Sequence, residues 1–137
     1  MKESVRKIKV VAAAIFSPSG DQLFVARRLK GTHQGGLWEF PGGKVEADEV
    51  PKQALYRELK EELNISVTSC SPLIKLSHDY GDKLVELDVY RVDTFEGHEH
   101  GAEGQETQWI KLKDINQLKF PEANKPIIDL LLKEAFV

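Results

Sequence analysis

Hydrophobic positions change their spacing along this chain, and each change marks an element. The stretch "KIKVVAAAIF", residues 7–16, is apolar at almost every position and predicts a strand buried on both faces. "SPSGD" (17–21) is a turn, and "QLFVARR" (22–28) predicts a second strand, so the two make a hairpin. Residues 29–50 form a long glycine-containing loop with a strand-like core at Leu37–Phe40, and a loop of that length in a compact domain is usually functional. From Pro51 the spacing lengthens. Leu55, Leu59 and Leu63 recur every fourth residue, the buried stripe of a helix running to about Leu63. Pro51 suits its first turn, where a missing N–H costs nothing. Val50 offers no side-chain acceptor, so the helix must gain its start from elsewhere.

The second half returns to strand patterning. "SVTSCSPLIKLSHDY" (66–80) and "KLVELDVYRVDTF" (83–95) predict a strand pair turning at Gly81-Asp82, although Leu84, Leu87, Val89 and Val92 alternate imperfectly. A polar loop (96–105), a short strand (107–112) and a closing helix (121–136) complete the chain. Mixed strands and helices in 137 residues predict one layered α/β or α+β domain spanning 1–137.

Composition narrows the function classes. Hydrophobic residues make up 41% and charged residues 30%, as in a soluble globular protein. The net charge of -3, without a block of Lys and Arg, argues against gripping a nucleic-acid backbone. A free nucleotide stays compatible, because a metal can neutralise its phosphates. Cys70 is the only cysteine, which excludes an intrachain disulfide and suggests a reducing compartment. No apolar run reaches membrane-spanning length. The basic and then apolar start of the chain is too brief for a signal peptide and continues into strand patterning, so a cytoplasmic location is expected.

Charge within the helix raises the chemical question. "RELKEELN" (57–64) places Glu58, Glu61 and Glu62 within an arc of roughly 100°. Like charges at this spacing cost about 0.2–0.5 kcal/mol per pair in an isolated helix. A solvated face diluted by Arg57 and Lys60 is one account. The other is a missing cation, since carboxylates along one helix edge suit a hard divalent ion such as Mg²⁺, which commonly bridges to phosphates. Metal-activated water beside phosphoryl oxygens is the chemistry of diphosphate hydrolysis.

Residues 43–65, "GKVEADEVPKQALYRELKEELNI", resemble the signature of the Nudix hydrolase superfamily. Gly43, Glu49, Arg57, Glu58, Glu61 and Glu62 fall in register, while Asn64 stands where the family usually has glycine. Asn tolerates the left-handed backbone that a helix end needs. "RRLKGTHQGGLWEFPGGK", "GAEGQETQW" and "FPEANKPII" are similar to the 8-oxo-dGTP diphosphatase branch, over about Lys9 to Leu131. The resemblance implies an α/β/α sandwich around a mixed β-sheet. It also implies Mg²⁺ as cofactor, with Mn²⁺ a possible substitute, and a nucleoside triphosphate as small-molecule partner. A monomer, with no direct nucleic-acid or membrane partner, is expected.

By the same resemblance, Glu58, Glu61, Glu62, Glu103 and the Gly42 carbonyl would hold the metal, and Glu58 leads as activator of water. Arg57 would orient Glu49 or a neighbouring carboxylate by bidentate pairing. Arg28, His33, Glu39, Phe40, Pro41 and Gly42 would wall the nucleotide site. Asn124 would read the purine edge, because an amide offers both a donor and an acceptor. Asn124 also suits a helix N-cap, and Glu103 competes with Glu96, Glu99 and Glu106. Lys83 falls where that branch carries arginine. A CTP-preferring pyrophosphatase is the alternative enzyme. A non-catalytic nucleotide-binding module and the lesion-reading domain of a repair glycosylase are the readings from other classes.

Overall fold

The computed structural model describes residues 6–29, 31 and 35–136. In chain order it runs β1 (Arg6–Phe16), β2 (Gln22–Arg27), β3 (Trp38–Glu39), β4 (Gly42–Lys44), α1 (Pro51–Leu63), β5 (Ser66–Asp79), β6 (Lys83–Glu96), β7 (Thr107–Lys111) and α2 (Lys125–Ala135). Short 3₁₀ turns at Leu112–Gln117 and Glu122–Asn124 lead into α2. The strands form one mixed sheet ordered β3-β2-β1-β6-β5, with β4 added to β1 and β7 to β2. β1 runs parallel to β6 and every other pairing is antiparallel.

Both faces of this sheet are covered, which is the expected α/β/α sandwich. Val11, Ala13 and Ile15 of β1 meet Leu55, Leu59 and Leu63 of α1 on one face. Ala12, Ala14 and Phe16 meet Ile127, Ile128 and Leu131 of α2 on the other. That is why residues 7–16 read as continuously apolar. The imperfect alternation in β6 has the same cause, because Val89 enters one core and Val92 the other. The leucine stripe of α1 is wholly buried, each side chain contributing about 2 kcal/mol of transfer free energy.

One edge of β1 changes partner, and this opens the site. Ile15 and Phe16 pair with Phe24 and Leu23 of β2, whereas Val10, Val11 and Ala12 pair with Lys44, Gly43 and Gly42 of β4. Between them the Ala13 N–H donates to the Pro41 carbonyl at 2.8 Å. The sequence reading missed β4, since two glycines carry no strand propensity. Their absence of side chains is what permits the pairing: a Cβ on Gly42 would collide with the Val11 carbonyl.

Helix ends follow local chemistry. Val50 gives α1 no side-chain cap, but the Gln53 side chain turns back to accept the Val50 N–H at 3.1 Å. Asn64 is left-handed, with φ 60° and ψ 37°, and ends the helix as expected. The closing helix starts later than position 121. Pro126 has no N–H for the Glu122 carbonyl, which instead accepts from Lys125 in a tighter 3₁₀ turn. Among the described residues no helix is long and apolar enough to cross a membrane.

Candidate active site

The β4–α1 junction carries the densest ion-pair network. Arg57 grips Glu49 with both prongs, Nε to Oε2 at 2.7 Å and Nη2 to Oε1 at 2.8 Å, and Nη2 also reaches the Lys44 carbonyl at 3.1 Å. Its remaining Nη1 donates to Glu58 at 2.9 Å and to Glu61 at 3.5 Å. The guanidinium holds the Glu49 carboxyl well below its usual range, at about 2. Arg57 thus fastens the loop before α1 to the helix. Gly43 completes the junction, because a Cβ there would strike the Glu58 carboxylate. Only a backbone without a side chain lets that carboxylate lie against β4.

The three helix carboxylates sit in different environments. Glu58 is 16% exposed and backed by Arg57, while Glu61 is 56% exposed and leans toward the same arginine. Glu62 points inward, and its Oε2 is buried with no partner. Burial first, and then the charges of Glu58, Glu39 and Glu103, push its carboxyl up to about 9. No three acidic, histidine or cysteine side chains among the described residues already close on a common point. Arg57 draws Glu58 and Glu61 to its guanidinium, while Glu62 turns toward the charges of Glu58, Glu39 and Glu103. The residues nevertheless fit a hard cation: an orphaned buried oxygen, a glycine cradle and an all-oxygen donor set.

Two cavities meet beside this edge. The first, of about 250 Å³, is lined by Arg28, Glu39, Phe40, Gly42, Gly43 and Asn124, over a floor of Val10, Val85 and Leu87. His78 and Tyr80 stand at its wall, their rings 4.3 Å apart. The second, of about 160 Å³, is lined by Arg27, Arg28, Leu29, Glu39, Glu62, Glu103 and Gln105. Arg28 and Glu39 belong to both walls and are paired at 2.8 Å. Burial raises the Glu39 carboxyl, aided by the Glu103 charge and opposed by Arg28.

The fold therefore brings Arg28, Glu39, Phe40, Gly42 and Asn124 to one cavity, and Glu62 and Glu103 to its neighbour. Pro41 is buried and serves β1 through its carbonyl. Glu58 and Glu61 line neither cavity, Glu58 lying against β4 at Gly43 and Glu61 leaning to Arg57 at the surface. His33 lies outside the described residues. Asn124 precedes α2 but makes no side-chain capping bond, so its amide is not spent on the helix. Trp38 is core, Phe40 stacks on Phe120 at 5.3 Å, and the Lys83 ammonium lies 5.3 Å from the Tyr80 ring. The sequence reading missed His78, Tyr80 and Gln105, and missed that Glu39 joins the carboxylate group. Nothing local marks them, since each reaches the site through sheet register or a loop crossing.

The sequence is matched over residues 11–130 by the model of the NUDIX domain family. The chain therefore belongs to the NUDIX domain family and is a Nudix hydrolase. It is 37% identical over 118 residues to the 8-oxo-dGTP diphosphatase of Escherichia coli K12, covering 86% of this chain and 92% of that protein. It is 33% identical over 126 residues to the CTP pyrophosphohydrolase of the same organism, covering 92% and 93%. A solved MutT structure, from a study of Aliivibrio salmonicida and Vibrio cholerae, superposes with a TM-score of 0.84 at 38% identity, covering 94% of this chain and 99% of that one.

Proposed function

We propose that this chain hydrolyses 8-oxo-dGTP to 8-oxo-dGMP and pyrophosphate, using Mg²⁺, and thereby keeps an oxidised purine out of DNA. The observation that carries the reading is the pair of adjoining cavities that share Arg28 and Glu39. A purine-sized space with an amide at its wall abuts a second space lined by carboxylates, and the Arg28–Glu39 pair stands between them. The two most informative relatives, an 8-oxo-dGTP diphosphatase and a CTP pyrophosphohydrolase, both carry names of triphosphate enzymes. The amide of Asn124 is unspent at the cavity wall and can both donate to and accept from a base edge, and the higher identity to the 8-oxo-dGTP diphosphatase than to the CTP pyrophosphohydrolase favours the purine.

Each residue then has a task. Asn124 orients the base, Phe40, Val10, Val85 and Leu87 exclude water from it, and Arg28 pairs with phosphoryl oxygen between the cavities. Glu58, Glu61, Glu62, Glu103 and the Gly42 carbonyl would hold Mg²⁺, for which Mn²⁺ could substitute. When bound, the cation neutralises phosphate charge and lowers the pKa of coordinated water. Glu58, fixed by Gly43 and Arg57, accepts the proton of the attacking water. Water adds its oxygen to phosphorus, the phosphoanhydride bond breaks, and pyrophosphate leaves. Arg57 stays out of the reaction and keeps the loop and helix in register. The protein acts as a cytoplasmic monomer on the free nucleotide.

The test is pyrophosphate release with Mg²⁺, comparing kcat/KM for 8-oxo-dGTP, dGTP and CTP. A preference for the oxidised purine of about a thousandfold over dGTP is expected where buried polar groups would otherwise go unpaired. A preference for CTP would retain the chemistry and move the chain to the pyrimidine reading, which the CTP pyrophosphohydrolase relative supports.

A further inference from the structure

The loop from Gly97 to Glu106 brings Glu103 to the cavity that Glu62 enters from α1. Its fastening to that helix is specific. The His100 N–H donates to the Leu63 carbonyl at 3.2 Å, and the Ala102 N–H to the Glu62 carbonyl at 2.9 Å. Carbonyls at a helix C-terminus lack partners within the helix, so these two bonds are ordinary capping. The Gln105 side chain does something else. Its Nε2 donates to the same Glu62 carbonyl at 3.0 Å, while its Oε1 accepts the Glu103 N–H at 2.9 Å. One amide thus grips the main chain of both carboxylate residues, although they lie far apart in sequence. Gly101 makes room for it: a Cβ there would strike the Gln105 main-chain oxygen and lie 3.1 Å from Oε1.

We propose that Gln105 is a positioning residue that sets the spacing between Glu62 and Glu103 for a divalent cation. The inference rests on the metal reading above. Glu62 is fixed in a helix, whereas Glu103 is exposed and rides on a loop, so the distance between the two depends on how that loop is fastened. A restraint is therefore needed on the backbone that carries them, and a primary amide is the neutral side chain that can donate to one segment and accept from the other. Gln105 acts on the site through the main chain of Glu62 and Glu103, to which both ends of its amide are bonded.

The experiment is Mn²⁺ titration calorimetry without nucleotide, on the parent chain, Gln105→Met and Gln105→Asn. Methionine keeps the length and loses both bonds, and asparagine keeps the amide but is too short to span both segments. Each variant should bind Mn²⁺ about tenfold more weakly, as for lost outer-shell partners of metal ligands. Its kcat at fixed Mg²⁺ should fall in step, with the triphosphate KM held within about twofold, because the base cavity is untouched. A folded variant that binds Mn²⁺ as the parent does overturns the inference and reduces Gln105 to a helix cap. If Gln105→Met fails to fold, Gln105→Asn decides. A parent that binds no Mn²⁺ overturns the metal reading, and this inference with it.

Discussion

Arg28 donates to Glu39 at 2.8 Å, and this pair is the wall common to both cavities. It is half-buried, so the charge of each partner depends on the other more than it would at the surface. Arg28→Ala should therefore do two things at once: remove a phosphate contact and leave Glu39 unpaired beside Glu62 and Glu103. A charge-assisted hydrogen bond contributes about 1.5–3 kcal/mol, so kcat/KM should fall by about ten- to a hundredfold, mainly through KM. Steady-state kinetics on the preferred triphosphate would check it, and an unchanged KM would remove Arg28 from the nucleotide site.

Arg57→Lys should be far from conservative. Lysine keeps the charge but has no planar fork to hold Glu49 by two bonds while also reaching Glu58 and the Lys44 carbonyl. The loop before α1 should loosen, with kcat down by about tenfold or more and Tm lower by a few degrees, as for a lost bidentate pair. Parallel kinetics and thermal melts test it.

Glu62 predicts a pH dependence with a definite sign. Unfolded glutamate ionises near 4.3, whereas in the folded chain without metal Glu62 keeps its proton up to about 9. Between these values the folded state binds the extra proton, so this group stabilises the fold at low pH and that contribution is lost as pH rises toward 9. Metal-stripped protein should therefore show a Tm that declines from pH 5 to 9 through this group. Glu62→Gln should flatten the decline, retain the fold and lose turnover. A variant with the parent's pH slope would show that Glu62 is not the group responsible, and full turnover with Mg²⁺ would take Glu62 out of the metal site.

Asn124→Ala should reduce discrimination more than general hydrolysis. The kcat/KM for 8-oxo-dGTP should drop by about ten- to a hundredfold, the scale of a lost bidentate base contact, while CTP hydrolysis changes little. Equal losses on both substrates would make Asn124 a structural residue at the head of α2.

Leu59→Ala tests the core beneath the site. Leu59 is fully buried between α1 and β1. Its truncation should cost about 2–5 kcal/mol in denaturant unfolding, as for other buried leucines. A loss under about 1 kcal/mol would mean that α1 is not anchored by this stripe.

What the sequence determined by itself is whatever depends on neighbours a few residues away. Pro51, the stripe Leu55, Leu59 and Leu63, and the left-handed Asn64 define α1 through the helical period and its end chemistry, and Glu58, Glu61 and Glu62 inherit their shared edge from it. The hairpin turning at Gly81-Asp82 is equally local. Tertiary structure alone decided which carboxylates face each other. Glu39 comes from β3, Glu62 from α1 and Glu103 from a loop, and they share one cavity because β1 exchanges β2 for β4 along one edge while His100, Ala102 and Gln105 bond the loop to the end of the helix. The pairing of β1 with β6, the β4 strand of bare glycines and the burial that raises Glu62 are likewise long-range. A helical or alternating period records which side of an element is buried. It carries no record of what lies across the gap, because that contact is fixed by how the whole sheet closes over its two cores.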